Sequence, residues 1–218
     1  MNKRSLFLRS MLGVVIVLLS ACNGIFEDIY DEPQDLQSND YGFIKVDEAT
    51  NSGTIYIDAT QYTRWIYINF HTHQIDSVEI TDDMVEPEAW DLAVHRYDAK
   101  TNKGSVQETS FTSLDALVAS GALPSGNFVA DEPSKVTVDM SGMMDGVILY
   151  AESDVNPVLS AWLNVDTSTM PPIYTLSNKV YIVKLKDGTY AAVRLSNFMN
   201  DASVKGFMTI DYVYPLTW

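Results

Sequence analysis

The sequence predicts an all-β domain for residues 41–218, made mainly of antiparallel sheet with one short helix. Apolar residues recur with a period of two from Gly42 onward, turn-forming residues separate these runs, and a single segment has the features of a helix. Alternating β-branched and aromatic residues are typical of strands, whose side chains point to two faces in turn. Because no repeat or second linker follows residue 40, we expect one domain, and about 180 residues are enough for a sizeable core.

The earliest strands are expected around Phe43–Val46, Ile55–Ile57 and Trp65–Phe70. In the third of these, odd-numbered residues would lie on one face of the sheet and even-numbered residues on the other. The same alternation predicts three residues on one face of a later strand: Trp90, Leu92 and Val94.

Turn signals separate the predicted strands at four places: Asn51–Gly53, Asn102–Gly104, Ser141–Gly142 and Lys186–Gly188. The last of them lies between two apolar segments, Val180–Leu185 and Thr189–Leu195, and predicts a β-hairpin. The single helix is expected to start at a cap formed by Thr112 or Ser113 and to end at Gly121.

The first 21 residues have the order of a secretory signal peptide, in which basic residues precede an apolar run that ends in small residues. The run Met11–Leu19 is shorter than the roughly 20 residues that a membrane-spanning helix needs. It continues into Leu19-Ser20-Ala21-Cys22, the pattern of a bacterial lipobox, whose cysteine accepts a diacylglycerol. We therefore expect a lipoprotein signal peptide at residues 1–21, lipidation of Cys22 and a membrane anchor of several acyl chains.

The mature chain is strongly acidic. Of 14 basic and 29 acidic residues, cleavage removes Lys3, Arg4 and Arg9, which leaves 11 basic residues and a net charge of −18. This charge argues against nucleic acid as a partner, because proteins bind its phosphates through Lys and Arg. Cys22 is the only cysteine, so its lipidation leaves no thiol for a disulfide, a zinc site or a nucleophile.

Residues 22–40 are rich in acidic side chains, contain Pro33 and lack a clear periodicity. We interpret them as an acidic tether that holds the domain away from the membrane. Acidic residues soon after the cysteine resemble those of surface-exported lipoproteins of Bacteroidetes, which implies an outer-membrane lipoprotein that faces outward. A plain solvated linker accounts for the same composition.

Four segments, in this order, resemble the HmuY family of haem-binding lipoproteins of Bacteroidetes: Tyr62–Phe70, Trp90–Gly104, Val180–Leu195 and Gly206–Leu216. The second, WDLAVHRYDAKTNKG, is the most specific. The resemblance covers residues 41–218 and implies a HmuY-like haem-binding β domain. It further implies haem b as the bound ligand, host haemoproteins as its source, delivery to a TonB-dependent outer-membrane receptor, and no catalysis.

The histidines depart from the pattern of HmuY itself, whose two iron ligands are histidines in the second half of the chain. Here no histidine follows His95. His71 and His73 would point to one face of a strand, where two imidazoles can share a metal, but no third ligand can be assigned to them and a solvent-facing pair is favoured. His95, beside Arg96, is interpreted as a hydrogen-bonded structural residue.

The resemblance therefore implies methionine ligands, since some family members use two methionines as haem ligands. The second half of the chain holds six: Met140, Met143, Met144, Met170, Met199 and Met208. The strand pattern predicts that Met140 and Met208 are core residues, and Met199 belongs to a polar loop.

The remaining three methionines lie in two predicted loops. Met143 and Met144 follow the flexible Ser141–Gly142, and Met170 precedes two prolines that favour an extended backbone. We predict Met143 and Met170 as the axial ligands of haem, with Met144 as the alternate for the first. Apolar and aromatic side chains near these loops are expected as walls of the haem pocket: Tyr150, Trp162, Ile173 and Tyr174.

A second function fits the same sequence, namely a non-enzymatic β-rich surface lipoprotein for glycan or protein interaction, with tyrosine and tryptophan as stacking platforms. An enzyme is disfavoured, because the chain has no G-x-S-x-G, no H-E-x-x-H, no glycine-rich phosphate loop and no cysteine nucleophile. Methionine is also a common gap-filler, so without the family resemblance these residues would be ordinary loop methionines.

Overall fold

The computed structural model describes residues 40–218, and the predicted all-β fold is confirmed. The strands are β1 Gly42–Asp47, β2 Ser52–Asp58, β3 Arg64–Asn69, β4 Gln74–Glu79, β5 Leu92–His95, β6 Asp98–Thr101, β7 Ser105–Glu108, β8 Val129–Ala130, β9 Glu132–Asp139, β10 Leu149–Val155, β11 Leu163–Asp166, β12 Ile173–Leu176, β13 Tyr181–Lys184, β14 Tyr190–Met199 and β15 Lys205–Val213. The helices are α1 Leu114–Ser120 and α2 Pro157–Ser160, and Met143–Asp145 form one 3₁₀ turn.

Two antiparallel sheets make the body of the domain. The larger has seven strands in the order β1-β2-β15-β14-β13-β7-β8, and the smaller has four in the order β4-β3-β5-β6. Two hairpins, β9–β10 and β11–β12, form two-stranded sheets of their own.

The main core lies between the two large sheets, as in a β-sandwich. One cluster of buried side chains combines Ile66 and Leu92 of the smaller sheet with Ile55, Val183 and Ile210 of the larger one. Each such side chain contributes roughly 1.5–3 kcal/mol when it leaves water. This interface therefore holds the fold without any disulfide.

The outer face of each sheet is also covered. Leu117 of α1 packs against Val180 and Ile182 on the larger sheet. On the smaller sheet, Val136 and Val155 of the β9–β10 hairpin pack in a third cluster. The aromatic side chains of this cluster are Trp65, Tyr67 and Trp90. The domain thus has four layers: helix, seven-stranded sheet, four-stranded sheet and hairpin.

The predicted helix and hairpin are confirmed. The Ser113 hydroxyl accepts a hydrogen bond from Ala116 N at 3.4 Å, and Gly121 ends α1 in the left-handed region at φ 62°. The turn Lys186–Gly188 connects β13 to β14 as expected. The short helix α2 was not predicted, although Asn156 caps it by accepting from Leu159 N and Pro157 is its first residue.

Two local expectations are wrong. His71 and His73 do not share a strand, because β3 ends at Asn69 and both lie in the turn before β4, where His73 has a φ of 55°. Trp90 does not share a face with Leu92, because β5 begins only at Leu92. Trp90 packs with Ala93 in the cluster on the outer face, whereas Leu92 and Val94 lie in the main core.

The expected signal peptide at residues 1–21, the lipidation site Cys22 and the tether up to residue 39 lie outside the described residues. Within residues 40–218, no helix has the length and apolar character needed to cross a membrane.

Candidate functional site

The β9–β10 hairpin carries Met143 and Met144 at its tip. β9 ends at Asp139 and β10 begins at Leu149, and the 3₁₀ turn Met143–Asp145 lies between them. The Asp139 carboxylate accepts hydrogen bonds from the backbone N–H of Ser141 at 2.7 Å and from its hydroxyl at 3.1 Å. These bonds hold the pKa of Asp139 below its usual value, and they fix the backbone at the start of the tip.

The β11–β12 hairpin carries Met170 in the same manner. β11 ends at Asp166 and β12 begins at Ile173. The Asp166 carboxylate accepts a hydrogen bond from Ser168 N at 2.9 Å, and hydrogen bonding by Ser168 lowers the pKa of Asp166. Met170 follows two residues later, and its peptide bond to Pro171 is cis.

The two tips concentrate exposed apolar surface. Among residues 40–218, thirteen large apolar side chains are exposed, and seven belong to these two hairpins: Met143, Met144, Val147, Leu149, Tyr150, Met170 and Ile173. Exposure reaches 39% for Met143, 78% for Met170 and 88% for Met144. A large patch of exposed apolar side chains is typical of a surface that binds a partner or a ligand.

The base of each hairpin, by contrast, is fixed to the body. Val136 and Val155 anchor the first hairpin in the cluster on the smaller sheet. In the second, the Tyr174 ring stacks on Phe198 at 5.7 Å, meets Tyr97 edge-on at 5.3 Å, and lies 4.8 Å below Lys205 Nζ. The methionines are therefore held on anchored ribbons and not on free loops.

The four expected wall residues have different environments. Tyr150 and Ile173 are exposed beside the tips, and Tyr174 is half-buried in the base of its hairpin. Trp162 has no exposed surface, and its indole N–H donates to the carbonyl of Tyr97 at 3.0 Å. Trp162 therefore has the position of a core residue and offers no surface to a ligand.

The contacts of His95 and His71 involve residues outside the two hairpin tips. His95 is buried, with Nε2 2.7 Å from the carbonyl oxygen of Tyr62, which agrees with its expected structural role. His71 bridges two carboxylates, with Nδ1 3.1 Å from Asp91 and Nε2 3.0 Å from Asp187. Partial burial alone would lower the pKa of His71, but its hydrogen bonds to Asp187 and Asp91, and their charges, raise it.

Of the other methionines of the second half, Met208 is buried in the main core, as predicted. The prediction of Met140 as a core residue is wrong, because it lies directly after β9, is only partly buried and belongs to none of the buried clusters. Met199 is the last residue of β14 and not part of a loop, because β14 extends four residues beyond the predicted end at Leu195.

Within residues 40–218, no group of three or more His, Cys, Asp or Glu side chains could hold a metal ion. Met143, Met144 and Met170 are exposed and remain the candidate ligands that the sequence predicts. Sequence reasoning missed Asp139 and Asp166, although the segments DMSGM and DTSTM share a pattern that could have identified them.

Comparison with known proteins decides the family. The model of the family described as HmuY protein matches residues 61–212, which is more than half of the chain. The chain belongs to the HmuY family. The resemblance noted in the sequence is thus confirmed, and it joins this chain to a haem-binding family.

Similar solved structures agree with this assignment. A protein of Bacteroides vulgatus, assigned as HmuY-like and haem-binding, is 62% identical, covers 82% of this chain and 100% of its own, and superposes with a TM-score of 0.78. A protein of Bacteroides fragilis assigned as a lipoprotein is 58% identical over 81% of this chain and 96% of its own, with a TM-score of 0.77. The apo HmuY analogue of Tannerella forsythia is 28% identical over 82% of this chain and 97% of its own, with a TM-score of 0.60. The comparison with curated protein sequences gives no significant match.

Proposed function

We propose that this HmuY protein is a surface-exposed, haemophore-like lipoprotein that captures haem b through two methionine ligands, Met143 and Met170. It then passes the haem to a TonB-dependent outer-membrane receptor. The observation that carries the proposal is the position of the two thioethers, which lie exposed at the tips of two separate anchored hairpins.

The donor set fits haem. In the proposed site the haem iron takes two axial ligands, and methionine is one of the usual neutral ligands of haem iron. The porphyrin ring is large and apolar, and the exposed Val147, Leu149, Tyr150 and Ile173 supply apolar surface beside the thioethers. Two of the three histidines are otherwise engaged, since His71 contacts two carboxylates and His95 is buried.

Each group then has a distinct task. Met143 and Met170 donate a sulfur lone pair, and the apolar side chains of the tips exclude water from the porphyrin. Tyr174 and Val136 keep the two ribbons attached to the sandwich. Haem is cargo here and undergoes no reaction in the domain, which is in line with the absence of catalytic motifs from the sequence.

The lipobox at Cys22 and the family membership support a location at the membrane surface. A lipid on Cys22 and the acidic tether would hold the domain outside the outer membrane, where host haemoproteins are the source of haem and a TonB-dependent receptor is the acceptor. The exposed position of the tips suits such a transfer, because the receptor can reach the haem without opening the sandwich.

The test is a titration of haem, oxidised or reduced with dithionite, against the wild type, Met143→Ala and Met170→Ala. A thioether is soft and neutral, so two of them favour ferrous iron. We expect tighter binding of reduced haem, and a loss of at least about tenfold, or ~1.4 kcal/mol, in each variant. Met140→Ala should act mainly on stability. Equal affinity for both oxidation states, with neither variant impaired, would refute the bis-methionine site.

One observation favours the second candidate, glycan interaction. The rings of Phe43 and Tyr56 stack at 4.6 Å, and both border a groove of about 490 Å³ that Asp58, Asn197 and Asp201 also line. Aromatic platforms beside polar side chains suit sugar rings. Absence of any haem spectrum, together with retention on a glycan column that Tyr56→Ala abolishes, would favour this function.

A further inference from the structure

The two hairpin tips share a five-residue pattern. The chain reads Asp-Met-Ser-Gly-Met from residue 139 and Asp-Thr-Ser-Thr-Met from residue 166, which is Asp-x-Ser-x-Met in both cases. In each hairpin the aspartate is the last residue of the first strand, β9 or β11. The pattern therefore begins at the same structural point in both.

The aspartate also makes the same contact in both tips. Its Oδ1 atom accepts the backbone N–H of the serine two residues further on, at 2.7 Å for Asp139 and Ser141 and at 2.9 Å for Asp166 and Ser168. An aspartate bonded in this way forms a turn of the backbone. Each methionine lies two residues beyond the serine, so both thioethers follow the same turn after the same number of residues.

We propose that the two segments are copies of one ligand-presenting turn, in which Asp139 and Asp166 are positioning residues for the thioethers of Met143 and Met170. This inference rests on the proposed haem site and goes further by selecting its first ligand. Met144 lies one residue beyond the position that corresponds to Met170, so it is not the equivalent residue.

The physical role of the turn is to reduce the cost of ordering. A ligand on a free loop must lose backbone and side-chain freedom when it binds, and that loss weakens affinity. A turn already held by the carboxylate has lost part of this freedom before haem arrives. The aspartates thereby raise haem affinity without touching the haem.

The experiment compares Asp139→Ala and Asp166→Ala with Asp139→Asn and Asp166→Asn. Asparagine keeps an Oδ1 acceptor for the serine N–H, whereas alanine removes it. We expect each alanine variant to bind reduced haem at least about fivefold more weakly, since fivefold is the effect of one lost hydrogen bond and Asp139 accepts two from Ser141. Each asparagine variant should stay within about twofold of the wild type. The alanine variants should also show a fraction of five-coordinate haem in the absorption spectrum.

A matched control lies at the β1–β2 turn, where Asp47 Oδ1 accepts Ala49 N at 3.0 Å in a turn without methionine. Asp47→Ala should leave haem affinity unchanged, and thermal unfolding should show that every variant is folded.

Four outcomes distinguish the inference from the proposed function. Weakening by alanine with rescue by asparagine supports the turn as a positioning device. Normal affinity in both alanine variants, while Met143→Ala and Met170→Ala are impaired, overturns the inference and leaves the proposed function standing. Impairment by Met144→Ala with normal binding by Met143→Ala overturns the equivalence of the two turns, and failure of the wild type to bind haem overturns the proposed function itself.

Discussion

The Nζ atom of Lys100 lies 4.4 Å from the centre of the Trp65 ring and 2.5 Å from Glu86 Oε1, in a site where only 4% of Lys100 is exposed. The rings of Tyr67 and Trp90 lie 5.4 and 5.5 Å from the same ammonium group. A buried charge is tolerated only when it is paired, and here one carboxylate and three aromatic faces surround it.

Removal of the carboxylate should therefore cost more than removal of the ammonium. We expect Glu86→Gln to destabilise the domain by about 1–3 kcal/mol, because it leaves a buried cation without its anion. Lys100→Met keeps the volume and removes the charge, so its effect should be smaller, and the double variant should resemble Lys100→Met. Urea unfolding measures all three, and an equal loss in both single variants would contradict the expected asymmetry between removal of the carboxylate and removal of the ammonium.

His71 links the turn after β3 to the turn before β14 and should make stability depend on pH. The groups that face it are Asp91, Asp187 and the Tyr214 ring, whose centroid is 4.9 Å away. Because the folded pKa of His71 is raised, its stabilising effect is complete below the unfolded pKa of about 6.5 and is lost as the pH rises through the folded pKa.

The measurement is the difference in unfolding free energy between the wild type and His71→Gln. We expect this difference in unfolding free energy to be larger at about pH 5.5 than at about pH 8. His73→Gln is the control, since it lies in the same turn. A difference that grows with pH would show that the bridge acts through something other than protonated His71.

Haem retention should be insensitive to acid, because a thioether has no proton to gain whereas an unperturbed imidazole is mostly protonated at about pH 5. We expect reduced haem to remain bound at that pH as long as the domain is folded. A folded variant with His71, His73 and His95 replaced by Gln should keep the wild-type spectrum. Loss of the spectrum in that variant would reinstate histidine ligation.

The exposed thioethers should be sensitive to peroxide. A peroxide transfers one oxygen to a methionine sulfur and leaves water, and the sulfoxide is a polar group that no longer offers a soft sulfur ligand. We expect Met144 and Met170 to be oxidised before the buried Met208, as read by peptide mass, with loss of haem binding that a methionine sulfoxide reductase restores. Oxidation of Met208 at an equal rate would contradict the burial of Met208 and the exposure of Met144 and Met170.

The anchor is tested by Cys22→Ala. If Cys22 carries the lipid, the variant should leave the membrane fraction and appear in the soluble one. Retention in membranes through washing with high salt would refute the lipobox interpretation.

The fold was largely predictable because its signals are local. Alternation in β3, the Ser113 cap and Gly121 depend on neighbours in the chain, and all are present in the structure. The face of Trp90 was not predictable, since β5 begins only at Leu92 and strand alternation does not extend to residue 90. The bridge from His71 to Asp187 joins residues 116 positions apart, and only the packed sheets bring them together.

The candidate site depends on the family and not on local signals. The resemblance to HmuY implies Met143 and Met170 as ligands, whereas the residues alone would not distinguish them from gap-fillers. The burial of Trp162 could not be predicted from the sequence, because it depends on contact with Tyr97, 65 residues earlier in the chain. The two aspartates that precede the tips could have been identified from the sequence, because Asp-x-Ser-x-Met occurs in both loops.

The layered body has a consequence for the evolution of this family. Met143, Met144 and Met170 belong to none of the three buried clusters. Exposed substitutions of this kind usually change stability by no more than about 0.5 kcal/mol. If these residues hold the iron as proposed, an exchange of methionine for histidine at a tip would change the preference for an iron oxidation state without a compensating change in the sandwich. Haem chemistry and folding would then depend on separate sets of residues.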